Sequence, residues 1–332
     1  MSYRRPTGAR NGQRLRGQNG SENLFSDPEA LEDLQDSGSE LSDPSGKSRV
    51  VVVRDRRCVT PSGEISSDIL GGMINRATVA LVEEPNLAKA FGGLFKPDDI
   101  VLMKLAEAAH PSVIEPLLRG LLTAGVKSKN VIVYRTHRLG SNGDGNGNGC
   151  GLGGYASRYG VRIASENYGH PPETIGRVKL KLADVFYEAT AIVNIPGLLN
   201  LEHEGLPVSL ESNLSSVRES YKLRHNPLER LLLLNSLPVI RQKTRLIVCD
   251  ALQPAFEFYG PDRAARWNYC AIVMAHDPVA LDTVVTAILG RHRAGLGLDG
   301  SMRQTRLALS SASAHGLGNH EHKHIDLLEI DV

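Results

Sequence analysis

Arg245-Leu246-Ile247-Val248-Cys249-Asp250 is an apolar run closed by a carboxylate, and Cys270-Ala271-Ile272-Val273-Met274-Ala275 followed by His276-Asp277-Pro278-Val279-Ala280-Leu281-Asp282 is a second one. Both runs are short, rich in β-branched residues and apolar at successive positions, the pattern of a strand buried on both faces. Two such strands predict an α/β fold with a mostly parallel central sheet and flanking helices. In open sheets of this class ligands sit outside the carboxyl ends of the strands. If each run ends at its aspartate, Asp250 and Asp277 mark the place to look for a site.

Outward from this stretch, more strands alternate with helical periods. Arg49 to Val53 and Asp99 to Lys104 read as strands, with a helical stretch at 67–90 between them. Val113, Leu117, Leu118, Leu121 and Leu122 follow the helical period, Gly125 suits a left-handed C′ position, and Val131 to Tyr134 is the next strand. Strand, helix, strand at this spacing is a parallel crossover unit. Further strands are expected at 161–163, 177–180, 191–195 and 325–332, and helices at 227–235 and 283–293. Residues 1–47 are polar and Gly/Ser-rich, with arginines first and acids later, and predict a disordered tail ahead of one α/β domain at 48–332. The Gly/Asn-rich stretch 140–154 predicts a flexible loop, since its glycines repeat too regularly for a dinucleotide fingerprint.

Composition bounds the function. Of 332 residues 41% are hydrophobic, 23% charged and only 5% aromatic, with net charge +1, so neither a basic field nor base-stacking platforms argue for nucleic acid. Four cysteines, at 58, 150, 249 and 270, form no C-x-x-C pair, and no iron–sulfur cluster or zinc ribbon is expected. No apolar run reaches the roughly 20 residues that cross a bilayer, and no apolar stretch follows Arg4-Arg5, so the expected location is cytoplasmic.

Ala191-Ile192-Val193-Asn194-Ile195-Pro196, Leu237-Pro238-Val239-Ile240-Arg241-Gln242-Lys243-Thr244-Arg245-Leu246, Cys249-Asp250-Ala251-Leu252, Asp277-Pro278-Val279-Ala280-Leu281-Asp282 and Ala314-His315-Gly316-Leu317-Gly318, in this order, resemble the uncharacterised domain-of-unknown-function family 362. The resemblance runs over residues 49–332 and implies an α/β domain. Some members carry a ferredoxin-like cysteine module or an export signal; this chain matches neither. Where members run Lys-Val-Asn this chain has Lys104-Leu105-Ala106, for Val-Leu-Lys-Asp-His it has Gly197-Leu198-Leu199-Asn200-Leu201, and for Leu-Lys-Asn it has Leu210-Glu211-Ser212. These departures imply a divergent member and keep a non-catalytic one in view.

The candidate residues each have two readings. Asp250 and His137 are candidates for catalysis. Asp250 would act through proton transfer or as an oxygen ligand. Thr136-His137-Arg138 is similar to a strand end in lactate-racemase-type proteins, where the histidine moves a proton beside a nickel-pincer nucleotide; a plain loop histidine is the alternative. Lys104, Arg241, Lys243, Asp277 and Asp282 are candidates for ligand binding. Arg241, Lys243 and Arg245, alternating on one strand, would share a face toward an anion or toward water. Asp277 would instead cap a helix whose first residue is Pro278. His320, His322 and His324, on an extended segment with His315 upstream, are candidate metal ligands or an exposed loop. The leading function is binding of a small anionic ligand at the strand ends near Asp250. A degenerate scaffold and a metal-dependent enzyme are the alternatives, with no cofactor identified.

Overall fold

The computed structural model describes residues 46–135, 152–200, 207–220, 222, 227–258 and 264–332. The polar tail almost entirely, His137 and most of the glycine-rich stretch lie outside these residues.

In chain order the elements are β1 (Ser48–Arg54), α1 (Ser67–Val82), α2 (Leu87–Leu94), β2 (Val101–Leu105), α3 (Ile114–Thr123), β3 (Val131–Arg135), α4 (Gly153–Tyr159) and β4 (Arg162–Ile163). A hairpin of β5 (Glu173–Ile175) and β6 (Val178–Leu180) follows, then α5 (Val185–Glu188), β7 (Ala191–Ile195), β8 (Gly197–Leu199), α6 (Val208–Glu211), α7 (Pro227–Ser236) and α8 (Pro238–Arg241). The chain closes with β9 (Thr244–Phe258), β10 (Ala264–Arg266), β11 (Ala271–Ala275), α9 (Pro278–Gly295), α10 (Arg303–Ala314) and β12 (Ile325–Asp331).

One sheet of order β12-β1-β11-β9-β7-β2-β3-β4 forms the centre, with β8 and β10 appended to β9. Along this order every pairing is parallel except the two made by β11. Helices cover both faces, so the α/β class with a mostly parallel sheet holds. Strand residues alternate between two cores. Val51, Val53, Leu246, Val248 and Leu252 pack into the layer of α1 to α3, whereas Val50, Val52, Ile247, Cys249 and Ala251 pack toward α9. Continuous apolar runs in β1, β9 and β11 follow from this two-sided burial.

Several expectations need correction. β9 does not stop at Asp250; it continues to Phe258, because β8 and β10 take over as its neighbours. β11 runs antiparallel to β9, with Ile272 opposite Asp250 and Ala275 opposite Ile247, so Asp277 lies at the other end of the sheet from Asp250. The helical stretch 67–90 is two helices, broken where Glu83 turns left-handed (φ 58°) two residues before Pro85. The strand expected at 177–180 belongs to a separate two-stranded hairpin. A helix also starts within the last residues of the glycine-rich stretch, at Gly153.

The connectivity defines one special place. From β2 the chain steps to β3 and then β4 on one side; β7 returns to the other side of β2, and β9 continues outward from there. The order therefore reverses between β2 and β7, the switch point at which open α/β sheets form their ligand crevice.

Candidate functional site

Each strand flanking the switch point carries one polar residue in an otherwise apolar run: Lys104 in Val-Leu-Met-Lys-Leu and Asn194 in Ala-Ile-Val-Asn-Ile. They are in register, so their side chains share a face. Lys104 is completely buried. Its Nζ donates to Asn194 Oδ1 at 3.1 Å and to Ser212 Oγ at 3.0 Å. Asn194 in turn donates to the Ser209 carbonyl at 3.1 Å, and the Ser212 hydroxyl donates to the same carbonyl at 2.7 Å. Both hydrogen-bond acceptors of the ammonium are neutral. Desolvation therefore dominates and pushes the Lys104 pKa down to about 7, with only the charge of Glu211 opposing it.

The network continues into α9. Asp282, also fully buried, accepts the Ser209 amide at 2.8 Å, the Ser209 hydroxyl at 2.9 Å and the Leu210 amide at 3.3 Å. Burial pushes its carboxyl up to about 7 against the pull of these donors. Helix α6, only four residues long, is thus held at its amino end by a carboxylate and on its far side by Asn235, whose Nδ2 donates to the Leu210 carbonyl at 3.1 Å. A lysine and an aspartate, both shifted toward neutrality, are joined through Ser209, Ser212 and Asn194. Such a pair can exchange protons near neutral pH or answer a nearby anion with a full ammonium charge.

Asp250 stands on the same end of the sheet in a different role. Its Oδ2 accepts the His110 amide at 2.7 Å and its Oδ1 accepts the Leu252 amide at 2.9 Å; burial raises its pKa while these two amides lower it. It fixes the 106–110 loop that leaves β2. That loop meets the chain leaving β7: the Ala106 amide donates to the Ile195 carbonyl at 2.9 Å, and a Cβ at Gly197 would come within 2.4 Å of the Ala108 backbone. A glycine is needed there for close approach of two loops. Arg135, at the end of β3 on the opposite face from Lys104, donates to the Glu107 carbonyl at 3.2 Å, and its Nε is buried without a hydrogen-bond partner among the described residues. Asp250→Asn replaces one accepting oxygen by an NH2 group and strands one buried amide. A loss of about 1–3 kcal/mol is expected in denaturant unfolding.

The remaining candidates are dispersed. Asp277 caps α9 through the Val279 and Ala280 amides, at 2.8 and 2.9 Å, and also accepts the Ser48 hydroxyl and the Asn319 amide, at 2.5 and 2.8 Å. It ties three segments together at the end of the sheet away from Asp250. Arg241, Lys243 and Arg245 do not share a strand face. Pro238 starts α8, which ends at Arg241, and β9 begins only at Thr244. Arg241 donates to the Gly316 carbonyl at 2.7 Å, Lys243 to those of Phe186 and Tyr187 at 2.8 and 3.1 Å, and Arg245 pairs with Asp99 at 2.6 Å. His322 and His324 occupy a single 3-10 turn rather than an extended segment, and His320 precedes it. Among the described residues no three or more His, Cys, Asp or Glu side chains are grouped as metal ligands would be. Asn194, Ser209 and Ser212 were not among the sequence candidates. A lone asparagine inside a fully apolar strand was the signal that could have found the first.

Fold and site define an open α/β domain with a polar network buried at its switch point. The chain belongs to the family described as Domain of unknown function (DUF362), whose model matches residues 96–287, from just before β2 into α9. The matched range is narrower than the expected 49–332 but contains Lys104, Asn194, Ser209, Ser212, Asp250 and Asp282. No curated protein matches the chain significantly. No helix among the described residues is long and apolar enough to cross a membrane.

Proposed function

We propose that this protein binds a small anionic ligand at the carboxyl ends of the strands flanking the switch point. Lys104 supplies the selecting charge, and Asp250 is the post that fixes the loop beside it. The observation that carries this reading is a buried lysine whose hydrogen bonds go to Asn194 and Ser212, both neutral. An unneutralised buried ammonium is costly, and an anion would offset that cost. The place is also the one where open α/β sheets hold ligands.

Binding and protonation are then linked. An anion favours the ammonium form, so affinity is highest below pH 7 and falls as pH rises through the Lys104 pKa of about 7. Sulfate, whose own charge is constant across this range, is the probe. Calorimetric titration at fixed ionic strength is expected to show binding at pH 6 that weakens about tenfold per unit above pH 7 and is lost in Lys104→Met. Binding of equal strength in parent and Lys104→Met would reject Lys104 as the selecting group.

A non-catalytic scaffold is the second reading, and two observations favour it: Lys104 is fully enclosed, and the loops above the switch point touch at Gly197. Absence of sulfate binding in the parent at every pH would leave that reading ahead.

A further inference from the structure

The two edges of the central sheet differ sharply. At one end β4 is two residues long, too short to template another strand. At the other, β12 runs for seven residues, Ile-Asp-Leu-Leu-Glu-Ile-Asp, and among the described residues it pairs with β1 on one side and with no strand on the other. Natural edge strands are blunted by proline, lysine, bulges or inward charges. β12 has no proline or lysine, and its pairing with β1 is regular from end to end. Its acids are largely neutralised by its own neighbour. Arg49 binds Asp326 at 2.7 Å, and Arg54 holds Asp331 through two bonds of 2.6 and 2.9 Å. Leu327 and Leu328 remain 44% and 40% exposed.

Strand alternation assigns the faces. Leu328 pairs with Val51 and Ile330 with Val53, on the α1 side; Leu327 pairs with Val50 and Glu329 with Val52, on the α9 side. Beside Leu328 lies a groove of about 430 Å³ formed with Val79, Ala80, Glu83 and Pro85.

We infer that β12 pairs antiparallel with β12 of a second copy of this chain, about a two-fold axis through Leu328, giving one sheet continuous across a dimer. A two-fold axis perpendicular to the sheet requires facing residues to lie on the same side. The register that uses the whole strand has Leu328 at its centre, because it is the middle residue of Ile325–Asp331. That register sets Ile325 opposite Asp331 of the second copy, Asp326 opposite Ile330, Leu327 opposite Glu329, and Leu328 opposite its own equivalent. Each acid meets an apolar residue and none meets an acid, the arrangement that avoids the penalty for like charges directly opposed. Shifting the axis by one residue toward the C-terminus puts Glu329 opposite Glu329. The strand is thus self-complementary in the register that also satisfies the most backbone groups, as an isologous interface requires. Leu328 on the axis covers the apolar side of the groove along α1.

Sedimentation equilibrium of the full chain over a wide concentration range tests this, with Leu328→Glu and Leu328→Lys as variants at an exposed position. The parent is expected to show a reversible monomer–dimer equilibrium. Each variant alone places like charges on the axis and is expected to weaken the dimer by at least about tenfold, with an unchanged melting temperature for the monomer. An equimolar mixture of the two variants is expected to restore the dimer, since Glu then faces Lys. A parent that stays monomeric at all concentrations would overturn the inference. So would a dimer indifferent to both substitutions, or a mixture that remains monomeric.

Discussion

Val248→Asp is expected to leave no cooperatively folded protein at room temperature. Val248 is fully buried in β9, opposite Met274 of β11, and packs into the core shared with α1 to α3. The substitution forfeits about 1.5–3 kcal/mol of apolar burial and adds a carboxylate with no partner, which costs several kcal/mol more even if it protonates. Against a total stability of about 5–15 kcal/mol for a typical domain, this exhausts most or all of the margin. Circular dichroism and a melting curve on the purified variant measure it. A melting temperature like the parent's would mean that β9 is not a central strand.

Asp282→Ala carries the second largest expected effect, about 3–5 kcal/mol in denaturant unfolding. Its removal strands the Ser209 and Leu210 amides in a buried setting, leaves the Ser209 hydroxyl to the Pro278 carbonyl, and loosens the short helix that carries Ser212 to Lys104. Asp282→Asn separates the hydrogen bonds from the charge and adds a pH signature. The folded pKa is raised from 3.8 to about 7, so the folded state holds a proton that the unfolded chain releases over that window. The parent's stability relative to Asp282→Asn is therefore expected to fall as pH rises from about 4 through about 7. Lys104 acts over the adjoining window. Its folded pKa is lowered from 10.5 to about 7, the unfolded chain binds the extra proton, and its contribution to stability rises with pH between those values. A parent-minus-variant profile flat in pH would argue that Asp282 is charged throughout.

The parallel core of the fold was legible in the residues. The middles of β1, β3 and the first half of β9 are continuous apolar runs, and β2 and β7 are broken only by Lys104 and Asn194, the pattern of two-sided burial. The direction of β11 was not legible, because with no helical crossover before it a run such as Ala271–Ala275 reads the same parallel or antiparallel. The antiparallel course of β11 is why Asp250 and Asp277, both following apolar runs, sit at opposite ends of the sheet. The basic alternation at Arg241, Lys243 and Arg245 looked like a strand face only until Pro238 nucleated a helical turn. Helix α10 went unread although Thr305, Ala308, Leu309 and Ala312 follow the helical period, since small residues give that period little contrast. In the site, Lys104, Asp250 and Asp282 could be picked from sequence as polar residues beside apolar runs. Among the linking residues Asn194 left a signal, a lone asparagine in an apolar strand, whereas Ser209 and Ser212 left none, because their importance comes from α6 folding back over β2 and β7, a long-range contact with no local signature.

The proposed function requires Lys104 to be a neutralisable cation that senses an anion, and one titration addresses that directly. Protein labelled with carbon-13 at the lysine Cε positions, with Lys104→Met to assign the resonance, reports each lysine's protonation across pH. Lys104 is expected to titrate near pH 7, well below the ordinary lysine value of about 10.4, and saturating sulfate is expected to move that titration upward, whereas chloride at the same ionic strength leaves it in place. A Lys104 resonance that titrates near the ordinary lysine value of about 10.4, or one that is indifferent to sulfate, would contradict the proposed function.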